Sequence, residues 1–215
     1  MKVGVYLLVG SLLTLPGVAM ATEEPKYTVL NQVDDFELRR YDPQIVAQTW
    51  VSGSQKQAGN RGFRILADYI FGNNTAPSGE SSKISMTSPV KMQPQRADSD
   101  KSQKIAMTSP VAMQEQDGKW RVRFVMPSKY TMQTLPTPNN AEVSIIEVPM
   151  QTYGVIKFSG LTGEQKVAEK TQALKNWMQG QNLKIIGDAE MARYNPPWTL
   201  PFMRRNEVMI EYQAN

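Results

Sequence analysis

Two residue types are missing from this 215-residue chain altogether: cysteine and histidine. Without cysteine there is no disulfide in any redox compartment and no thiolate nucleophile. Without histidine the usual zinc sites, a Ser-His-Asp triad, a Cys-His pair and a His-ligated haem are excluded. Thr87, Ser88, Thr108 and Ser109 are hydroxyls with no histidine to activate them. Strong charge is missing as well. The formal net charge is +4 and no run of Lys or Arg occurs, so the footprint of a nucleic-acid binder is absent.

Apolar residues make up 40% of the chain and charged residues 20%, the composition of one globular domain with a real core. Residues 1–21 read as a secretory signal. Lys2 supplies the positive start, Val3 to Val18 the apolar stretch, and Ala19-Met20-Ala21 an A-x-A cleavage site before Thr22. Pro16 and Gly17 sit where signal peptides usually break before cleavage, and the stretch is short for a transmembrane anchor. No cysteine follows it, so a lipoprotein anchor is excluded. The expectation is a signal peptide over 1–21 and one mature domain over 22–215. That domain would be periplasmic or secreted, soluble, monomeric and without a membrane span after cleavage.

Strand-like alternation runs from Tyr27 to Ser52, with a turn at Asp42-Pro43. Ser54 is placed to cap a helix whose inner face carries Ala58, Gly62, Ile65, Leu66, Tyr69 and Ile70, ending at Gly72. An internal repeat follows: Lys83-Ile-Ser-Met-Thr-Ser-Pro-Val-Lys-Met-Gln93 is restated as Lys104-Ile-Ala-Met-Thr-Ser-Pro-Val-Ala-Met-Gln114. Two short copies do not make a solenoid. They read as two β-segments interrupted at Ser-Pro, since proline cannot donate to a central ladder. Asp117-Gly118 signals a hairpin into a strand whose Trp120, Val122, Phe124 and Met126 form one buried face, Arg121 and Arg123 alternating with them. Further strands are expected over 143–148 and 153–158. A second helix starts at Thr162 or Gly163 with Val167, Leu174, Trp177 and Met178 inside. Shorter β-segments follow at 183–186, around 191–194 and at 208–212.

A weaker symmetry organises these elements. Ser52-Gly53 and Ser159-Gly160 each end a strand and open a helix, and each helix carries an aromatic–aliphatic pair near its end, Tyr69-Ile70 and Trp177-Met178. The chain reads as two β-β-α-β-type halves, each covering the sheet of the other, with a groove between the helices.

Four segments in order resemble the SOUL haem-binding family. They are Phe36-Glu-Leu-Arg-Arg-Tyr41, Gly62-Phe-Arg-Ile-Leu66 through Asn73, the Ile84-to-Val90 block with its copy, and Ala192 through Val208. The resemblance spans essentially the whole mature chain. It implies an α+β fold of two pseudo-symmetric halves making a distorted antiparallel β-barrel with two helices, similar to GyrI-like effector-binding domains. It also implies a tetrapyrrole held in an apolar groove without an axial histidine, basic residues meeting its propionates.

Candidate ligand contacts follow from that implication. Arg61 and Arg64, three apart on the first helix, could clamp carboxylates with their planar forks, with Ile65 beside them. Methionine is the only soft neutral donor in the chain, so Met86, Met107 and Met113 of the repeat (with Met92) could line the groove. Adaptable core packing is their alternative role. Tyr69 and Tyr194 could offer phenolate or be buried and hydrogen-bonded. Glu207 could be a general base or pair with Arg39 or Arg40, with Asn206 satisfying loop backbone. The leading expectation is a ligand-binding protein for haem or a related small hydrophobic ligand, and not an enzyme. The alternatives are a hydrolase using carboxylates in the same groove and an interaction module without a small ligand.

Overall fold

The computed structural model describes residues 23–79, 111–116, 119–196 and 198–214. Among these residues the elements run β1 (Tyr27–Val33), β2 (Phe36–Tyr41), β3 (Gln44–Ser52), α1 (Gln55–Ile70), β4 (Asn74–Thr75), β5 (Val111–Gln116) and β6 (Lys119–Val125). They continue with β7 (Thr137–Pro138), β8 (Ser144–Val148), β9 (Gln151–Phe158), α2 (Glu164–Gly180), β10 (Lys184–Arg193) and β11 (Asn206–Gln213). Residues 80–110, which hold the first repeat copy with Met86 and most of the second with Met107, lie outside the described residues.

Nine strands form one sheet in the order β1-β2-β9-β11-β10-β5-β6-β3-β8, and every pairing is antiparallel. Leaving out β1, the order reads the same from both ends: β2-β9-β11-β10 from one, β8-β3-β6-β5 from the other. Each half is a strand, a helix and a strand pair, β3-α1-β5-β6 and β9-α2-β10-β11. The halves meet where β10 pairs with β5, Met191 opposite Met113 and Ala192 opposite Ala112. They also exchange strands. β2 leads into β3 but pairs with β9, and β8 leads into β9 but pairs with β3. The pseudo-symmetry expected from the Ser-Gly pairs is therefore present. Both glycines hold positive φ, 118° at Gly53 and 100° at Gly160, the backbone region that turns each strand into its helix.

Two expectations change. The sheet is not a closed barrel among the described residues, because β1 and β8 each have a single neighbour. The segments expected at 183–186 and 191–194 are one ten-residue strand, β10, whose pairing with β11 shifts register between Ile185 and Ala189.

Helix α1 starts where the sequence placed it. Ser54 accepts from the Gln57 N–H while the Gln57 side chain accepts from the Ser54 N–H, a reciprocal capping box. Its inner face covers β3 and β6, burying Leu66, Tyr69 and Ile70 on Ala47, Val51, Val122 and Phe124. Gly62 lets the helix approach closely, since a Cβ there would stand 2.8 Å from Val122 Cβ. Helix α2 covers the other half, burying Leu174 and Met178 on Ile156, Val208 and Ile210. Truncating any of these to Ala costs about 2–5 kcal/mol. The opposite face of the sheet is buried too, around Tyr41, Tyr153, Val155, Ala192 and Met209.

Strand β6 differs from expectation on that second face. Arg123 is buried and Arg121 is partly buried. Both reach Glu190 on β10 across the intervening β5, Arg121 at 3.1 Å and Arg123 in a short contact. Burial of a charge is tolerated only with a partner, and Glu190 serves both.

Candidate functional site

The pseudo-two-fold axis runs between β5 and β10, so the starts of both helices converge above the centre of the sheet. Between them lies a groove of about 700 Å3. Ala189 and Met191 of β10 and Val208 of β11 form its floor; Val167, Ala168 and Thr171 of α2 form one wall, and Gly53, Ser54, Gln55 and Trp120 the other. The indole N–H of Trp120 donates to the Gly53 carbonyl at 2.9 Å, which fixes the ring at the groove wall. The buried Gln55 amide donates to Met191 Sδ at 3.6 Å, so the thioether is held by the protein itself. The charged residues lining this groove are Glu164, Asp188 and Glu190, and no Lys or Arg lines it among the described residues.

A second polar assembly occupies the face away from the helices. Arg39, fully buried, donates from Nη1 and Nη2 to the two oxygens of Glu207 at 2.9 and 3.0 Å, and from Nε to Glu37 at 2.6 Å. Tyr194 donates to Glu207 at 2.7 Å and Arg205 at 2.9 Å, while Lys157 meets the other oxygen of Glu37 in a short contact. Arg39 stands 4.4 Å from the Tyr27 ring centre, and Arg205 3.8 Å from that of Tyr194. Burial alone would pull the Arg39 guanidinium down, but Glu207 and Tyr41 outweigh it and hold it above its ordinary value. Burial pushes the Tyr194 hydroxyl up, and the Glu207 charge pushes it further. Against burial, Lys157 and Arg39 hold the Glu37 carboxyl below its ordinary 4.5. This is the arrangement of a structural ion network, with every Glu207 oxygen engaged.

Among the described residues, those singled out from the sequence are not gathered into one slot. Arg61 is exposed and 3.4 Å from Glu142 Oε1, and Arg64 is exposed; neither lines the interhelical groove. Ile65 is partly buried against the core beneath α1. Met113 holds a strand position opposite Met191, a groove residue, and Val122. Tyr69 donates to the Pro136 carbonyl at 2.7 Å, a structural bond. Glu207 pairs with Arg39 rather than Arg40, and Asn206 donates to the Gly160 carbonyl at 3.1 Å. The groove residues Ala168, Ala189, Met191 and Val208 went unnoticed as a site. The Ser-Gly symmetry could have found them, because residues just after two symmetry-related turns face their common axis.

Two helices on an antiparallel sheet with a groove along a pseudo-two-fold axis define an α+β fold of two pseudo-symmetric halves. The chain itself belongs to the SOUL haem-binding protein family, whose profile matches residues 22–102 and 95–211. Among solved structures it is similar to the EcmrR C-terminal domain, with a TM-score of 0.56 and 9% identity over 88% of this chain and 99% of that one. It also resembles a hydrolase from Listeria innocua, with a TM-score of 0.46 and 9% identity over 91% of this chain and 94% of that one. A third is SAV2435 bound to tetraphenylphosphonium, with a TM-score of 0.41 and 13% identity over 83% and 94% of the two chains. At such identities the likeness concerns the fold alone. No curated protein matches the chain.

Proposed function

We propose that the protein is an exported binding protein, not an enzyme, that shelters haem or a related tetrapyrrole in the interhelical groove. The groove itself carries this reading. Its volume of about 700 Å3 lies within the range of roughly 300–1,000 Å3 usual for small-molecule pockets, and its floor and one wall are largely apolar. Membership of a haem-binding family supports the choice of ligand.

The lining suits the macrocycle and not its carboxylates. Trp120, Val167, Ala168 and Ala189 offer contact to a flat ring, whereas Glu164 and Asp188 repel propionates. A bound tetrapyrrole would be held by its ring, and its carboxylates would find no cation among the described residues of the groove. Gln55 already engages the Met191 sulfur, so the ring is held by packing. Bound haem supplies its iron and its spectrum; the chain supplies exclusion of water and a fixed orientation. The Arg39–Glu207 network supports binding over catalysis, because a carboxylate with both oxygens engaged is a poor general base. Export is supported by the leader over residues 1–21.

The test is a hemin titration of the chain from Thr22 onward, followed by the Soret band. A saturable shift that Ala189→Trp abolishes, with the fold retained by circular dichroism, is expected. No shift, or a shift that Ala189→Trp leaves untouched, overturns the assignment. N-terminal sequencing of protein secreted with its leader tests export: Thr22 should come first.

A further inference from the structure

The interhelical groove offers an acidic group little to hold. Its ionisable lining is Glu164, Asp188 and Glu190, with no Lys or Arg among the described residues. Glu190 is already matched: it is buried and paired with Arg121 and Arg123, which reach it from β6. Glu164 and Asp188 differ from it. Both are exposed, and among the described residues neither forms an ion pair. Glu164 stands in the first turn of α2 and Asp188 on β10, so they flank the groove from the helix and from the sheet.

The neutral donors of the lining are largely committed as well. The Trp120 indole N–H donates to the Gly53 carbonyl, and the Thr171 hydroxyl to the Val167 carbonyl at 2.8 Å. The side-chain amides of Gln55 and Gln172 donate to Met191 Sδ and, at 2.8 Å, to Asn176 Oδ1. A carboxylate drawn between these walls would lose its hydration and gain no cation in return, while two like charges face it. An apolar ring suffers no such loss.

We propose that Glu164 and Asp188 make the groove a charge filter. It accepts tetrapyrroles whose carboxylates are confined to one edge and rejects those that carry them on every side. A ring with a carboxylate-free edge has an apolar flank to bring against Trp120, Val167 and Ala189; a ring with acids all round has none. The two acidic residues thus act on specificity by repulsion rather than by contact. The inference rests on the tetrapyrrole reading of the groove and adds which members of that class enter.

The experiment compares two metal-free porphyrins on the chain from Thr22 onward, followed by porphyrin fluorescence. Protoporphyrin has its carboxylates on one edge, whereas coproporphyrin has them spread around the ring. Coproporphyrin should bind more weakly by about tenfold or more, and added salt should narrow the difference. Glu164→Gln combined with Asp188→Asn should narrow it by about threefold or more. Both residues are exposed, so the fold tolerates the change, and circular dichroism checks it. The bulk of each porphyrin is the same for parent and variant, so the comparison reads charge. Glu169→Gln, at an exposed position of α2 outside the groove, should leave the difference as it is, which separates the filter from the overall charge of the chain. Equal binding of the two porphyrins, or a difference that the double variant leaves intact, overturns the filter while the tetrapyrrole reading stands. Absence of protoporphyrin binding overturns both.

Discussion

Arg39 and Glu207 are 168 residues apart in sequence and meet through two parallel N–H···O contacts with neither side chain reaching solvent. One lies on β2 and the other on β11, and β9 runs between them. The pair is thus a clasp across three strands of the second half. Removing one partner leaves the other charge buried and uncompensated, which costs about 3–5 kcal/mol. Arg39→Ala should lower stability by that amount in urea unfolding, whereas Arg40→Ala, at an exposed position, should stay within about 0.5 kcal/mol. Equal effects from the two variants would sink the clasp.

Acid should loosen the same network. The Glu37 carboxyl is held below 4.5 in the folded chain, so its stabilisation is complete above that value. As pH falls the unfolded chain takes up the proton first, and stability declines until the folded carboxyl protonates as well. Melting temperature followed from pH 6 to pH 3 should fall, and Glu37→Gln should flatten part of that slope. An unchanged slope contradicts the assignment.

Alkali acts through Tyr41. Burial pushes its hydroxyl up to about 12, with Arg39 tempering the rise. Below its ordinary value of 10 the contribution is fully present, and it is lost as pH climbs towards 12. Tyr41→Phe should be less sensitive than the parent chain to unfolding across that window.

Gly62 offers a test of the α1 contact with a reversed sign. In a helix interior Gly→Ala ordinarily stabilises by about 0.5–1 kcal/mol. Here the added Cβ meets Val122, so Gly62→Ala should destabilise by about 1–3 kcal/mol. Gly62→Ala combined with Val122→Ala should recover part of that overpacking loss, visible in a double-mutant cycle of urea unfolding. Simple stabilisation by Gly62→Ala would show that the helix stands further from the sheet.

The groove assignment separates α1's outer face from its N-terminal end. Arg61→Ala combined with Arg64→Ala should leave the hemin titration unchanged, because neither residue lines the groove. A large loss of affinity there would move the ligand to the exposed side of the helix.

Much of this fold could be read from the sequence because its signals are local. Ser54 announces the α1 cap, Asp117-Gly118 lies between the paired ends of β5 and β6, and the two Ser-Gly pairs mark the repeated turn. Alternation within Phe36–Tyr41 even contains the choice between Arg39 and Arg40. Glu37, Arg39 and Tyr41 share a face, while Phe36 and Leu38 turn towards α2. Other features rest on relations between distant strands. Arg121 and Arg123 are drawn inward by Glu190, which lies two strands away and leaves no mark near them in the sequence. The groove between the helices was expected, but its lining was not legible for a related reason. It is built from ordinary residues such as Ala168, Ala189 and Val208, made notable only by where the symmetry axis falls.

The exchanged strands β2 and β8 carry a consequence for how the molecule comes into being. A nascent chain that has just released β3 and α1 cannot finish that half, because β8, needed at its edge, begins only at Ser144, after β4 to β7. The first strands must wait for the last. Loop-closure entropy is then met before most sheet contacts form, which slows folding and leaves β2 and β3 open to wrong partners meanwhile. Splitting the gene between the two halves should therefore yield fragments that are unstructured alone and assemble only together.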